Sequence, residues 1–177
     1  VASARKNLGV RTLFNLLGPL ANPAGVKRQL LGVYDKRWLV PMAEALRDLG
    51  CEHALVICGQ DGMDEITTTT GTDVAELRDG EITTYVVTPE DAGLTRATEA
   101  DLKGGDPAYN AAAILRLLEG EAGAFRDIVL LNAGAALILS GQARTLAEGA
   151  KLAAAAIDDG RARTALARMA AISRGEA

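Results

Sequence analysis

The stretch "RQLLGVYDKRWLVPMAEALRDLGCEHALVICG", residues 28–59, holds three segments of different hydrophobic periodicity. "RQLLGVYD" is a near-continuous apolar run ending in a turn residue, the pattern of a buried strand. In "WLVPMAEALRDLG" the apolar residues Leu39, Met42, Ala43, Leu46 and Leu49 fall on one helical face, with Gly50 placed as the C-terminal cap. "HALVICG" is a second apolar strand. A strand, a helix and a strand joined by short connections make a βαβ unit, and strands buried on both faces imply a parallel sheet covered by helices on each side.

Working outward, "TDVAELRDGEITTYVVTPE" reads as two alternating strands around Arg78–Asp79–Gly80, a hairpin placed at the sheet edge, whose Asp-Gly supplies the positive φ angles such turns need. "TPEDAGL" reads as a capped turn with Pro89 at its first helical position. "GGDPAYNAAAILRLLEG" opens a long helix with Asp106 as N-cap, and "AFRDIVLLNAGAALILSG", "TLAEGAKLAAAAIDDG" and "RARTALARMAAIS" give three more, with alanine-rich faces suited to close packing. Upstream, "VASARKNL" fits a short helix closed by Gly9, and "RTLFNLLGPLANP" a further helical turn or two stopped by Gly18–Pro19 and then Pro23. The expectation is an α/β fold: a mostly parallel central sheet flanked by helices, an edge hairpin and a helical C-terminal region. Neither a repeat nor a linker divides it, so residues 1–177 read as one domain.

With 19 basic against 23 acidic side chains, a net charge of −4 gives no electrostatic reason to expect nucleic acid or an anionic membrane as partner. The longest apolar candidate, "DIVLLNAGAALILSG", is too short for a membrane span and is interrupted by Asn132, so it reads as a buried helix. Cys51 and Cys58 lack the further ligands of a metal site or a disulfide framework. Reduced, buried thiols of that kind suit the cytoplasm.

"GQDGMDEITTTTG", residues 59–71, crowds Asp61, Asp64 and Glu65 at the end of the second strand. Ligands of α/β sheets bind beyond the carboxyl ends of the strands. Paired carboxylates can act as acid and base, but that requires them on opposite sides of a bond, which adjacent residues in one loop rarely achieve. Mg²⁺, by contrast, takes one or two protein carboxylates and leaves its other positions to water and substrate phosphates. By spacing alone a solvated acidic loop is the simpler reading, and no Walker loop, G-x-G-x-x-G, H-E-x-x-H or C-x-x-C decides the matter. His53 reads as a strand-end imidazole, Trp38 as a helix-start anchor, and "TTTT" as an extended segment rather than a phosphate cradle.

"VRTLFNLLGPLANPAG" resembles the R-T-x-F-N-x-L-G-P-L-x-N-P signature of the anthranilate phosphoribosyltransferases, and "LLGVYD", "ALVICGQDGMDEIT", "ELRDGEI", "TPEDAGL" and "GGDPAYNAA" follow at the family's spacing. The resemblance covers nearly the whole chain and implies the fold of the nucleoside phosphorylase and phosphoribosyltransferase catalytic domain. It implies a reaction in which anthranilate displaces diphosphate from 5-phosphoribosyl 1-diphosphate, on the way to tryptophan. Asp64 and Glu65 match the family's acidic pair that holds Mg²⁺ against the diphosphate. Arg5 stands six positions before the signature's Arg11-Thr12, where the family's arginine approaches the anthranilate carboxylate; a guanidinium pairs with a carboxylate in a bidentate fork. Lys6, Arg11, Asn15, Asn22 and Asn110 are read as structural or solvent-facing.

The family's Gly-rich G-T-G-G-D loop, its Asn-x-Ser-Thr and Lys-His-Gly-Asn segments and its N-terminal helical bundle, through which a homodimer forms, have no counterpart in residues 1–177. The chain accordingly reads as the larger α/β part of a longer, two-domain cytoplasmic enzyme and is expected to be inactive alone. Two rival readings are a non-catalytic binding protein of the same superfamily and a pyrimidine nucleoside phosphorylase. The net negative charge argues against a nucleic-acid role, and thymidine or uridine cleavage would separate the phosphorylase.

Overall fold

In the computed structural model, which describes residues 14–176, helix α1 (Phe14–Leu20) leads into strand β1 (Arg28–Gly32), helix α2 (Leu39–Asp48) and strand β2 (His53–Gly59). β1 and β2 pair in parallel with Leu30 opposite Leu55 and Gly32 opposite Ile57, so the expected βαβ unit is present. Leu39, Met42, Ala43 and Leu46 form the buried face of α2, and Gly50 (φ 81°) follows its end. Leu49 departs from the expectation: it lies past the last helical turn and is 62% exposed. α1 also runs past the expected stop to Leu20, carrying Gly18 and Pro19 inside its final turn, and Ala21 N–H closes it on the Leu17 carbonyl at 3.0 Å.

β3 (Thr72–Arg78) and β4 (Glu81–Val87) form the hairpin, with Asp79 at φ 52° and Gly80 at φ 86° making the two-residue turn. The sheet order is β1-β2-β3-β4, and both pairings after β1/β2 are antiparallel. Among the described residues parallel pairing is therefore confined to β1/β2, a correction to the expected predominance of parallel strands. The cause is local: a parallel return needs a long crossover, usually helical, whereas residues 60–71 form a loop without a helix. β4 is the mostly exposed edge, as expected of the hairpin.

β2 is buried along nearly its whole length because its alternate residues enter two different cores. Ala54, Val56 and Cys58 pack with Ala75, Leu77 and the apolar face of α2. Leu55 and Ile57 pack on the other side with Val74 and with helices α3 (Pro107–Leu118), α4 (Ala124–Leu139) and α5 (Leu146–Asp158); α6 (Arg161–Ser173) follows outside. A fully buried Ile57 or Leu131 is worth about 1.5–3 kcal/mol relative to exposure. α4 and α5 cross with their backbones nearly touching: a Cβ on Gly149 would sit 2.5 Å from the Gly134 carbonyl oxygen. This fixes α4 against α5, which matters because α4 carries Asn132.

The local caps fall where the sequence placed them. Asp106 accepts from Tyr109 N–H at the start of α3, and Thr88 with Asp91 closes a capping box around Pro89. Both cysteines are free, Cys58 buried and Cys51 half-buried, and burial pushes both thiols up. Among the described residues no helix is long and apolar enough to cross a membrane.

Candidate active site

Gly59 ends β2 opposite Thr72, which opens β3, and residues 60–71 bridge the gap at the carboxyl end of the parallel pair. The chain folds back at once: Gly59 N–H reaches the Met63 carbonyl at 2.8 Å and Gly62, at φ 90°, closes on Gly59 at 2.9 Å. Asp61 organises this turn. One oxygen accepts from Met63 N–H at 3.0 Å; the other accepts from the Thr67 hydroxyl at 2.6 Å and from the Thr69 hydroxyl. Burial acts to raise the Asp61 pKa, but these hydrogen bonds together outweigh it and hold the carboxyl below its ordinary value. A carboxylate with its acceptor sites so occupied is a brace, not a spare ligand.

The threonine run is the other half of the brace. Thr67 and Thr68 are fully buried; Thr67 N–H donates to the Thr72 hydroxyl at 3.0 Å, and Thr69 N–H to the Thr67 hydroxyl at 3.0 Å. From the far side, Asn132 of α4 grips the loop backbone. Its Oδ1 accepts from Ile66 N–H at 2.9 Å, and its Nδ2 donates to the Ile66 carbonyl at 2.9 Å and to its own helix at Ile128. Beneath, Gly32 at the end of β1 admits the Asp64 backbone, since a Cβ there would overlap the Asp64 carbonyl oxygen.

Asp64 and Glu65 project from this braced loop as exposed neighbours, and neither has a basic partner among the described residues. Partial desolvation by the loop, then the charge and hydrogen bonding of Asp64, then Asp61, raise the Glu65 carboxyl above its usual range. Two oxygen-donor groups side by side on a braced backbone, repelling each other, are what a hard divalent cation relieves. Among the described residues no three His, Cys, Asp or Glu side chains converge on one point, so the donor set is this pair, leaving the other positions of a cation to water or ligand oxygens.

The remaining sequence-level candidates are plainly placed. Arg5, with Lys6 and Arg11, lies outside the described residues. Asn110 clamps Gly105 from both sides, accepting from its N–H at 2.9 Å and donating to its carbonyl at 3.0 Å, and Asn22 accepts from Ala24 N–H; both are structural, as read. His53 opens β2 and binds Glu76 at 2.8 Å, remote from the acidic loop. Sequence reading missed Asn132, Thr67, Thr69 and Gly32. One signal was present: a lone amide in an otherwise apolar helix needs a partner, and here it is the loop.

The chain matches known proteins over nearly its whole length. The model of the glycosyl transferase family, a/b domain, covers residues 1–163, and the chain belongs to that family. Within it, the chain is 74% identical, over all of its length and 52% of the relative's, to the anthranilate phosphoribosyltransferase of Maricaulis maris, and 62% identical, over 99% of its length and again 52% of the relative's, to that of Parvibaculum lavamentivorans. The resemblance read from the signature is thus borne out, and the chain spans about half the length of the curated relatives it matches. Among solved structures, the anthranilate phosphoribosyltransferase (TrpD) of Thermus thermophilus superposes with a TM-score of 0.88 at 46% identity, over 98% of this chain and 51% of that one. The Saccharomyces cerevisiae enzyme in complex with PRPP and Mg gives 0.84 at 28% identity, over 94% of this chain and 48% of that one.

Proposed function

We propose that this chain is the acid-bearing α/β part of an enzyme that transfers the 5-phosphoribosyl group from 5-phosphoribosyl 1-diphosphate to anthranilate, releasing diphosphate, in tryptophan biosynthesis. The observation that carries the reading is the adjacent pair Asp64 and Glu65, exposed, without a basic partner among the described residues, and held at the strand end by Asp61, Thr67, Thr69 and Asn132. The names of the relatives and the Mg-containing yeast complex support the same assignment.

The acid pair fits Mg²⁺: both groups are hard oxygen donors, and their mutual repulsion is the kind a divalent cation removes. Bound there, the ion would neutralise the diphosphate as the sugar's C1–O bond breaks. The chain's own contribution is to fix the backbone that carries the two carboxylates, so that less of the loop must rearrange when a metal diphosphate arrives. Arg5 is proposed to pair with the anthranilate carboxylate. The setting proposed is a cytoplasmic homodimer, with the free thiols of Cys51 and Cys58 suited to a reducing compartment.

The test is anthranilate fluorescence in the whole protein. Loss that requires the protein, 5-phosphoribosyl 1-diphosphate and Mg²⁺ together supports the proposal. Folded protein that consumes no anthranilate, or consumes it equally with Mg²⁺ chelated, removes it.

A further inference from the structure

The amino end of β2 carries a feature opposite in sign to its carboxyl end. His53 stands in register with Arg28 of β1 on one side and Arg78 of β3 on the other. Register partners share a face of the sheet, and this row lies on the face that carries Leu30, Leu55, Ile57 and Val74 beneath α4 and α5. Strands are about 4.8 Å apart, so the two arginine backbones are separated by roughly 10 Å, within reach of convergent guanidinium groups. The turn between α4 and α5 adds Arg144. Arg28, His53, Arg78 and Arg144 line one cavity of about 390 Å³, whose wall also includes Glu52 and Asp79.

The cations there are poorly compensated. Among the described residues neither the Arg28 nor the Arg144 guanidinium has an ion-pair or hydrogen-bond partner; Arg144 is engaged only through its backbone N–H, which donates to Glu148. Arg78 reaches Asp79 only at 4.0 Å. His53 is committed to Glu76, which also accepts from the Tyr85 hydroxyl at 2.9 Å. Like charges that converge from β1 and β3 across the intervening strand repel, and an anion between them reverses the sign of that interaction. Guanidinium forks match the oxygen geometry of phosphate groups.

We propose that this cavity is a binding site for a phosphate-class oxyanion, gripped by Arg28, Arg78 and Arg144 and separate from the acidic loop. It does not depend on the transferase reading. A second cavity of about 210 Å³ shares Arg78 and Arg144 with it and continues along Leu55, Val74 and Tyr85, so the anion can be the head group of a larger molecule with an apolar body.

The experiment is a calorimetric titration of the whole protein with inorganic phosphate and with diphosphate, without divalent cations and at ionic strength fixed with sodium chloride. Wild type is compared with Arg28→Ala/Arg144→Ala and with Asp64→Asn/Glu65→Gln. Saturable binding that weakens by at least about tenfold in the arginine variant and persists in the acid-pair variant supports the site. Absence of saturable binding in wild type, or equal binding in the arginine variant, overturns it. Both arginines are exposed, and a urea midpoint equal to wild type confirms that the variant is folded.

Discussion

The two ends of β2 differ in charge and in how that charge is held. At the carboxyl end, carboxylates sit on a loop fastened to β3 by threonine hydroxyls, to α4 by an amide and to β1 through a glycine contact. At the amino end, arginines from β1, β3 and the α4–α5 turn line one cavity, and among the described residues the Arg28 and Arg144 guanidinium groups have no ion-pair or hydrogen-bond partner. Uncompensated charge on a rigid mount serves a ligand whose position matters for chemistry. On long side chains that reach in from three elements, it suits capture of an anion. The two proposals together give one strand a reacting end and a holding end.

The sharpest way to break this contrast is to neutralise the acids. Asp64→Asn with Glu65→Gln should lower Mg²⁺-dependent anthranilate turnover by about a hundredfold or more, since removing a metal's donors forfeits several kcal/mol of charge stabilisation. Folding should be nearly untouched, because exposed carboxylates without partners contribute little stability. Steady-state kinetics over a magnesium series, with a urea denaturation curve alongside, reads both. Turnover within a few-fold of wild type would take the pair out of the mechanism and leave the acidic end as surface.

The mount itself comes next in size. Asn132→Ala strands the N–H and carbonyl of the buried Ile66, at a cost of about 2–3 kcal/mol in urea denaturation. It should also weaken magnesium binding roughly tenfold, the scale on which groups that orient metal ligands act. Asn132→Asp can accept from Ile66 N–H but turns a carboxylate oxygen toward the Ile66 and Ile128 carbonyls where the amide donated, so at neutral pH it should be at least as destabilising as alanine. If stability drops while magnesium affinity holds, the amide is a packing residue and the acidic end is less rigidly presented than its hydrogen bonds imply.

Much of this architecture was legible in the sequence, and the boundary of legibility follows the range of the interactions. The apolar run of β2, the Asp79–Gly80 turn, and the Asp106 and Thr88 caps are decided within a few residues, so pattern and propensity suffice. The acid pair was visible as a loop beyond a strand and through the family resemblance. Asn132 acts on a residue 66 positions away, and Gly32 is required by a backbone approach from the loop after the next strand. No local periodicity carries such information. The threonines were visible as strand-like residues, but their hydroxyls turn inward to Asp61, which depends on the loop's path. The arginine row is set by strand register, and Arg28 and Arg78 are ordinary polar strand-end residues until the pairing is known.

The smallest effect expected is also the most specific to the mount. Asp61 is depressed relative to an unfolded aspartate, so its carboxylate contributes stability that is fully present above the ordinary carboxylate range and is lost as pH falls through its lowered folded value. Glu90, Asp101 and Asp159 are also held low by local hydrogen bonds, but they are exposed, and solvent screens their contribution. The acid limb of the stability curve should therefore owe more to Asp61 than to any of these. Asp61→Asn keeps the shape but not the charge, and should give a lower urea midpoint at neutral pH and a shallower decline toward acid, the two curves converging at low pH where the wild-type group is protonated. Parallel curves would mean that the threonine hydroxyls hold an acid no differently in the folded and unfolded chain, and the acidic end would then owe its order to Asn132 and Gly32 instead.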